Sequence, residues 1–330
     1  MNKNIVVVLK ADEIIGTGHL MRVNNILEYF KDNNLFLVAN SLSERVKPLC
    51  SCYQEIKVAS DENLAKLVLE FKPDLVIVDH YFLDASFESQ LYPYTKVAVI
   101  DDLANRTHCA HVLFDQTASR SNSEYQKLVN QDCKLYLGSN YNYIKSSFNE
   151  VKKVEASTDK KRVLINFGGS DPVHGCFICA NTILQEDLYQ KYDFTILSGL
   201  SNPDHQKLEL LLKDYPQIKL LSHTNDVPLL FSHTDLAIGA CGGMFKERII
   251  AKIPSINVEI ADNQKGTDAF IKESQIGLCL RVEDLYSVKK ISDALTDLCQ
   301  NFKIYQNNCS NLFKADGILN VVKVLENLLK

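Results

Sequence analysis

The residues best suited to chemistry lie in a few short segments. Gly16-Thr17-Gly18-His19 stands directly before the helical pattern of residues 20–29, which begins Leu20-Met21-Arg22. Glycine lets a backbone approach a ligand closely, and a helix N-terminus adds free N–H donors and about half a positive charge, so an anionic ligand is favoured there. The dinucleotide-binding fingerprint is excluded, because its third glycine is absent and a histidine stands where that motif has none. The helix N-terminus also disfavours a charged imidazole, which leaves His19 neutral and able to act as a general base. A histidine that caps the helix or hydrogen-bonds a phosphate fits the spacing equally well.

The other segments follow apolar runs. Asp79-His80-Tyr81 comes after residues 75–78, and a carboxylate and a phenol at a strand's carboxyl end can orient a sugar or a water. Asp101-Asp102 comes after residues 97–100. With no third carboxylate or histidine at ligand spacing, this pair reads as a turn or helix cap sooner than as a metal site. His108 and His111 read as a loop packed on a sheet for the same reason. Cys176 and Cys179, a C-x-x-C inside a helical pattern with no second cysteine pair, read as buried thiols. Gly168-Gly169-Ser170-Asp171 is a glycine turn suited to a phosphate or a sugar ring. Ala240-Cys241-Gly242-Gly243 leads into a helix carrying Glu247. Its glycine N–H groups suit a diphosphate, and the carboxylate can take both hydroxyls of a ribose. Asn263 and Gln264 add amide donors, or simply a polar loop.

Positioning these residues requires two sheets. The first half reads as short β-branched runs, residues 5–9, 35–39, 75–79 and 97–100, alternating with helical patterns at 18–29 and 62–71. Such alternation means a parallel sheet with helices on its faces. Residues 150–161 are charged, poor in large apolar side chains, and read as a linker. The rhythm then restarts, with strands at 163–167, 194–197, 219–221, 236–238, 255–259 and 278–280 and helices at 176–184, 206–215 and 245–250. The expected fold is α/β, two Rossmann-like doubly wound domains facing a central cleft. Domain 1–150 carries the histidine loop; domain 151–330 carries the later glycine turns and a closing amphipathic helix at 318–329.

At 330 residues, with 46% hydrophobic and 23% charged, the chain has material for two cores and none of the bias of a disordered one. A net charge of -5 without a basic run argues against a nucleic-acid partner. The opening apolar run is too short for a signal segment or a membrane span. A cytoplasmic monomer with no membrane partner is expected, and its ten cysteines read as free thiols.

Taken in order, G-T-G-H-L-M-R, V-D-H-Y, I-D-D-L-A-N-R, N-F-G-G-S-D-P, G-A-C-G-G-M-F-K-E-R, I-P-S-I-N-V and A-D-N-Q resemble the UDP-2,4-diacetamido-2,4,6-trideoxy-β-L-altropyranose hydrolases of pseudaminic acid synthesis. The resemblance implies a GT-B glycosyltransferase-like fold. It also implies inverting, metal-independent hydrolysis of a UDP-sugar at the anomeric C–O bond, with no cofactor. His19 is then the catalytic base, Tyr81 a substrate contact, and Gly242, Gly243 and Glu247 the holders of the UDP portion, with Asn263 and Gln264 near sugar and phosphates. Asp12, Gly16, Gly18, Arg22, Asp79, Gly168, Gly169 and Asp171 complete the expected substrate-binding set. Residues 10–16 are two shorter than the family's usual opening and lack its arginine and serine. Two other readings share the motifs: a GT-B glycosyltransferase using an acceptor hydroxyl, and a nucleotide-sugar-binding protein without catalysis.

Overall fold

Residues 5–9, Ile-Val-Val-Val-Leu, are apolar without alternation, which suits a strand covered on both faces. In the computed structural model, which describes residues 2–11, 17–44, 46–117, 120–155, 158–224, 226–261, 264, 266–310, 312 and 316–330, they form the centre of β1 (Asn4–Ala11). Ile5, Val7 and Leu9 pack on one face with Leu20, Val23 and Ile26 of α1 (Gly18–Leu27). Val6 and Val8 pack on the other with Leu64 and Val68 of α2 (Asp61–Glu70). The sheet is extended on one side by β2 (Asn34–Leu42) and β3 (Glu55–Val58). On the other side lie β4 (Leu75–Asp79), β5 (Lys96–Ile100), β6 (Val112–Asp115) and β7 (Lys134–Leu137), with α3 (Ala85–Leu91) and α4 (Asn122–Tyr125) between them in the chain. Among the described residues this sheet has seven strands, all parallel, in the order β3-β2-β1-β4-β5-β6-β7. Strand order reverses between β1 and β4, the place where such sheets take ligands.

A second sheet begins with β8 (Lys161–Asn166), α5 (Gly175–Gln185), β9 (Tyr192–Leu197), α6 (His205–Leu212) and β10 (Lys219–Leu221). It continues through α7 (Val227–Ser232), β11 (Leu236–Ala240), α8 (Gly243–Ile250), β12 (Ser255–Val258), α9 (Thr267–Ser274) and β13 (Gly277–Leu280), and is followed by α10 (Val288–Gln300) and α11 (Phe302–Cys309). Its parallel order is β10-β9-β8-β11-β12-β13, reversing between β8 and β11. Ile165, Phe194, Ile238 and Ile256 form its core with Ile183 of α5 and Leu295 and Leu298 of α10.

The chain divides into one unit of residues 1–146 with 314–330 and another of residues 147–313. The closing helix, α12 (Gly317–Leu328), therefore belongs to the first unit, which corrects its expected place at the end of a domain 151–330. The reason is packing: Ile318, Val321, Val322 and Leu325 join the apolar cluster of β1 and α1. Among the described residues no helix is long and apolar enough to cross a membrane.

Charge is buried in the first unit in an ordered way. β4 and β6 end in Asp79 and Asp115, and β5 runs into Asp101; all three carboxylates are buried. Each meets an arginine: Arg22 Nε at 2.6 Å from Asp79, Arg106 Nη1 at 2.7 Å from Asp101, and Arg120 Nε at 2.5 Å from Asp115. The Tyr125 hydroxyl lies 2.7 Å from Asp101 Oδ2 and 2.9 Å from Asp115 Oδ2, and donates to one at a time. His108 donates Nδ1–H to Glu88 Oε1 at 2.8 Å, and its Nε2 is 3.7 Å from Asp101 Oδ2. Burial opposes its charge, but Asp101 and Glu88 outweigh burial and raise its pKa to about 9. His111 instead accepts the Val97 N–H and stacks on Tyr92.

A histidine whose folded pKa exceeds its unfolded 6.5 stabilises fully below 6.5 and stops doing so as pH rises through about 9. Relative to His108→Gln, the wild-type protein should lose roughly 3 kcal/mol of unfolding free energy between about pH 6 and pH 9.5 in urea titrations. Parallel curves would exclude a charged His108.

Candidate active site

At the first sheet's reversal point the end of β1 lies beside the end of β4, with Leu9 in register with Asp79. Thr17 is the N-cap of α1, so His19 is the second helical residue and Arg22 stands one turn on, on the same helix face. Both side chains converge on Asp79, which is fully buried at the last position of β4. His19 Nδ1 lies 2.5 Å from Asp79 Oδ1; Arg22 donates from Nε to Oδ2 at 2.6 Å and from Nη2 to Oδ1 at 2.5 Å. Arg22 Nη1 also donates to Asp102 Oδ2 at 2.9 Å, and the guanidinium lies over the Tyr143 ring, 5.9 Å from its centroid. The Tyr81 ring meets His19 edge-on, with centroids 4.4 Å apart and planes at 77°.

These contacts assign the protons. Burial pushes the Asp79 carboxyl up, but Arg22 and His19 outweigh it and hold the pKa at about 2. Burial likewise works against the Arg22 charge, and Asp79 and Asp102 reverse that and hold its pKa well above the ordinary arginine value. Of the two groups near His19 Nδ1, the ionised Asp79 Oδ1 at 2.5 Å is closer than Arg22 Nη2 at 3.2 Å, which already donates to that oxygen, so Nδ1 carries hydrogen toward the carboxylate. In the neutral ring the lone pair then belongs to Nε2, the tautomer that a general base requires. His19 is buried, 4% exposed, with its ring held between a carboxylate and a phenol.

His80 has a different task. Its Nδ1 accepts the Phe82 and Leu83 N–H groups, both at 3.1 Å, and its Nε2 donates to Asn40 Oδ1 at 3.1 Å. Burial, then the nearby His19, pull its pKa down to about 4, so it shapes the turn as a neutral ring and thereby places Tyr81. Asp101 accepts the Leu103 and Ala104 N–H groups, a turn as expected for the Asp101-Asp102 pair. Asp102 does something else, serving as the second acceptor of Arg22.

In the second unit, glycine turns stand on both sides of the sheet's reversal point. Gly168, at φ +93°, follows β8 and donates its N–H to Asn166 Oδ1 at 3.1 Å. Gly242 is the N-cap of α8 and Gly243 its first residue. A side chain at Gly168 or Gly243 would meet no atom within 4 Å, so both backbones face open space. Gln264 accepts the Ile260 N–H through Oε1 at 3.0 Å and brings Nε2 within 3.7 Å of where a Gly242 Cβ would stand. Glu247 lies half-buried in the second turn of α8.

Asp171 departs from expectation. It is fully buried, and its two oxygens accept the Gly175 N–H at 2.7 Å and the Cys176 N–H at 2.9 Å, with Asn202 Nδ2 at 3.2 Å from the second. The carboxylate satisfies the start of α5, which corrects its expected place among the ligand contacts. Asp12, Gly16 and Asn263 lie outside the described residues. The structure thus brings together Gly18, His19, Arg22, Asp79 and Tyr81 in one unit, and Gly168, Gly169, Gly242, Gly243, Glu247 and Gln264 around one sheet end in the other. Sequence reasoning read Asp102 as part of a turn and not as a partner of Arg22, and it missed Tyr143. Position at a strand's carboxyl end flags Asp102 without telling a cap from an arginine partner; Tyr143 carries no local signal.

No family model matches the chain. It is 25% identical over 264 residues to UDP-2,4-diacetamido-2,4,6-trideoxy-beta-L-altropyranose hydrolase of Campylobacter jejuni, covering 78% of this chain and 92% of that protein. Spore coat polysaccharide biosynthesis protein SpsG of Bacillus subtilis is 21% identical over 343 residues, 95% of each. An uncharacterized protein of Methanocaldococcus jannaschii is 25% identical over 268 residues, 76% of this chain; the match spans only 54% of that longer protein. Among solved structures, MurG of Acinetobacter baumannii superposes with a TM-score of 0.62 at 12% identity, covering 98% of this chain and 99% of that one. The calicheamicin glycosyltransferase CalG4 does so with 0.63 at 10%, covering 99% and 98%. The fold is that of these GT-B glycosyltransferases, two Rossmann-like parallel-sheet units.

A carboxylate whose pKa is lowered in the folded state stabilises fully above its unfolded value, here 3.8, and loses that contribution as pH falls toward about 2. Asp79→Asn removes this acid-labile contribution and leaves a buried arginine short of a counter-ion. It should cost roughly 3 kcal/mol in denaturant unfolding near neutral pH. The difference from wild type should shrink between about pH 4 and pH 2; a difference independent of pH would show that Asp79 folds uncharged.

Proposed function

We propose that the chain is a hydrolase of a UDP-linked 2,4-diacetamido-2,4,6-trideoxyhexose, releasing UDP and the free sugar, as in pseudaminic acid synthesis. The observation that carries this reading is the contact of His19 Nδ1 with the ionised Asp79, which leaves Nε2 to take a proton. Similarity to the Campylobacter jejuni hydrolase over nearly all of that protein supports the substrate class.

His19 Nε2 accepts a proton from water as the water oxygen bonds to the anomeric carbon on the side opposite the diphosphate. The bond from that carbon to the diphosphate oxygen breaks with inversion, and its electron pair leaves with UDP. Arg22 keeps Asp79 ionised, so the imidazolium formed in the step faces a full negative charge. Tyr81, against the imidazole edge, orients the sugar or the water. Uridine diphosphate falls to the second unit, with the Gly168-Gly169 and Gly242-Gly243 turns offering N–H donors to phosphate and Glu247 accepting from ribose hydroxyls. Neither cofactor nor metal is required, because a diphosphate is a good leaving group whose charge backbone donors can meet.

A glycosyltransferase is the second reading, favoured by the fold itself. Purified protein given the UDP-sugar without an acceptor separates the two: free sugar should appear, whereas dependence on an added acceptor would make it a transferase. Chelators should leave the rate unchanged. His19→Leu should lower turnover by roughly a hundredfold or more while UDP still binds; near-normal turnover would remove His19 from the role. In oxygen-18 water the label should enter the sugar and not UDP.

A further inference from the structure

We propose that Arg248 is the built-in counter-charge for the phosphates at the second unit's glycine turn, a cation sealed beneath residues 239–243 and left for a bound diphosphate to neutralise. This rests on the reading that the turn takes UDP. Arg248 is the sixth residue of α8 and only 1% exposed. Helical side chains lean toward the N-terminus, and this one reaches back to the residue that ends β11, with Nη2 donating to the Ala240 carbonyl at 2.9 Å. The same nitrogen donates to Asn257 Oδ1 at 2.9 Å. Asn257 is held in that orientation by its own Nδ2, which donates to the Ser255 and Leu278 carbonyls at 2.9 and 3.2 Å. Room for the guanidinium depends on Gly239, where a Cβ would fall 2.2 Å from the Asn166 carbonyl oxygen and 3.0 Å from Arg248 Nη1.

What this lodging lacks is a carboxylate in hydrogen-bond contact. Arg22, Arg106, Arg120 and Arg162 each meet a carboxylate at 2.9 Å or closer. Among the described residues Arg248 has neutral acceptors only, and its Nε is buried without a partner. Burial pulls its pKa down to about 10, with the Cys241 thiol and the Glu247 carboxylate as the titratable groups acting the other way. A cation hydrogen-bonded only to neutral dipoles keeps much of its desolvation cost. Its positive potential adds to that of the α8 N-terminus, which starts at Gly242 and Gly243, with open space above Gly243. A dianion seated there compensates both. The ligand class is a nucleoside diphosphate, and the residue selects for its charge, not its base.

The test compares wild type, Arg248→Met and Arg248→Lys by titrating UDP and uridine, followed by ligand-observed NMR. The readout is the ratio of the two affinities, and its retention in Arg248→Lys separates the charge from mere support of the turn. Arg248→Met should weaken UDP at least tenfold and uridine less than twofold, whatever happens to the melting temperature. Arg248→Lys should keep the wild-type ratio within about threefold. An unchanged ratio in Arg248→Met, or a ratio lost equally in the lysine variant, would overturn the proposal. Failure of the wild-type protein to bind UDP would instead overturn the functional reading beneath it.

Discussion

A carboxylate buried at the end of a central strand cannot remain charged unless opposite charge comes to it, and in the first unit everything near β1 and β4 is arranged around Asp79. Two side chains one helical turn apart meet the requirement, and they do so with different chemistry. Arg22 is permanently charged and keeps the carboxylate ionised; His19 is titratable and is oriented by it. The same interaction that holds α1 against the sheet therefore also selects the histidine tautomer. Stability and reactivity share one hydrogen-bonded group, so a substitution at Asp79 cannot alter one and spare the other.

The strand-end aspartates extend this logic. Asp79, Asp101 and Asp115 stand on adjacent strands, each with its own arginine. The second unit solves the opposite problem at the corresponding sheet end, where a lone arginine is buried among carbonyl and amide oxygens. The first unit gathers paired charge around an imidazole. The second offers unpaired positive charge and bare backbone, suited to gripping an anion. The two sheets have like topology and different electrostatics.

Much of the first sheet was legible because its central strands are uniformly apolar and its loops carry glycine, histidine and aspartate where parallel sheets expose their ends. β3 was not, since Glu55-Ile56-Lys57-Val58 is a four-residue edge strand with charges in alternate places. β6 and β7 are equally short. α10 was legible, with Ile291, Ala294, Leu295 and Leu298 at helical spacing, and went unread. At the site, Asp171 was open to misreading because a carboxylate that caps a helix and one that binds a ligand look alike when both follow a glycine turn. Arg248 sits in plain view after Glu247, yet nothing local distinguishes an arginine bound for the interior from one facing water. That depends on Gly239 and Asn257, nine residues away on either side, acting together.

The return of α12 to the first unit has an effect on how the protein is made. The helix shares one apolar cluster with Ile5, Val7 and Leu9 of β1, yet it is translated after the whole of the second unit. Until then the part of that cluster that α1 leaves uncovered stays open to water. The intervening sheet is free to fold in the meantime, so the unit begun before it is completed after it.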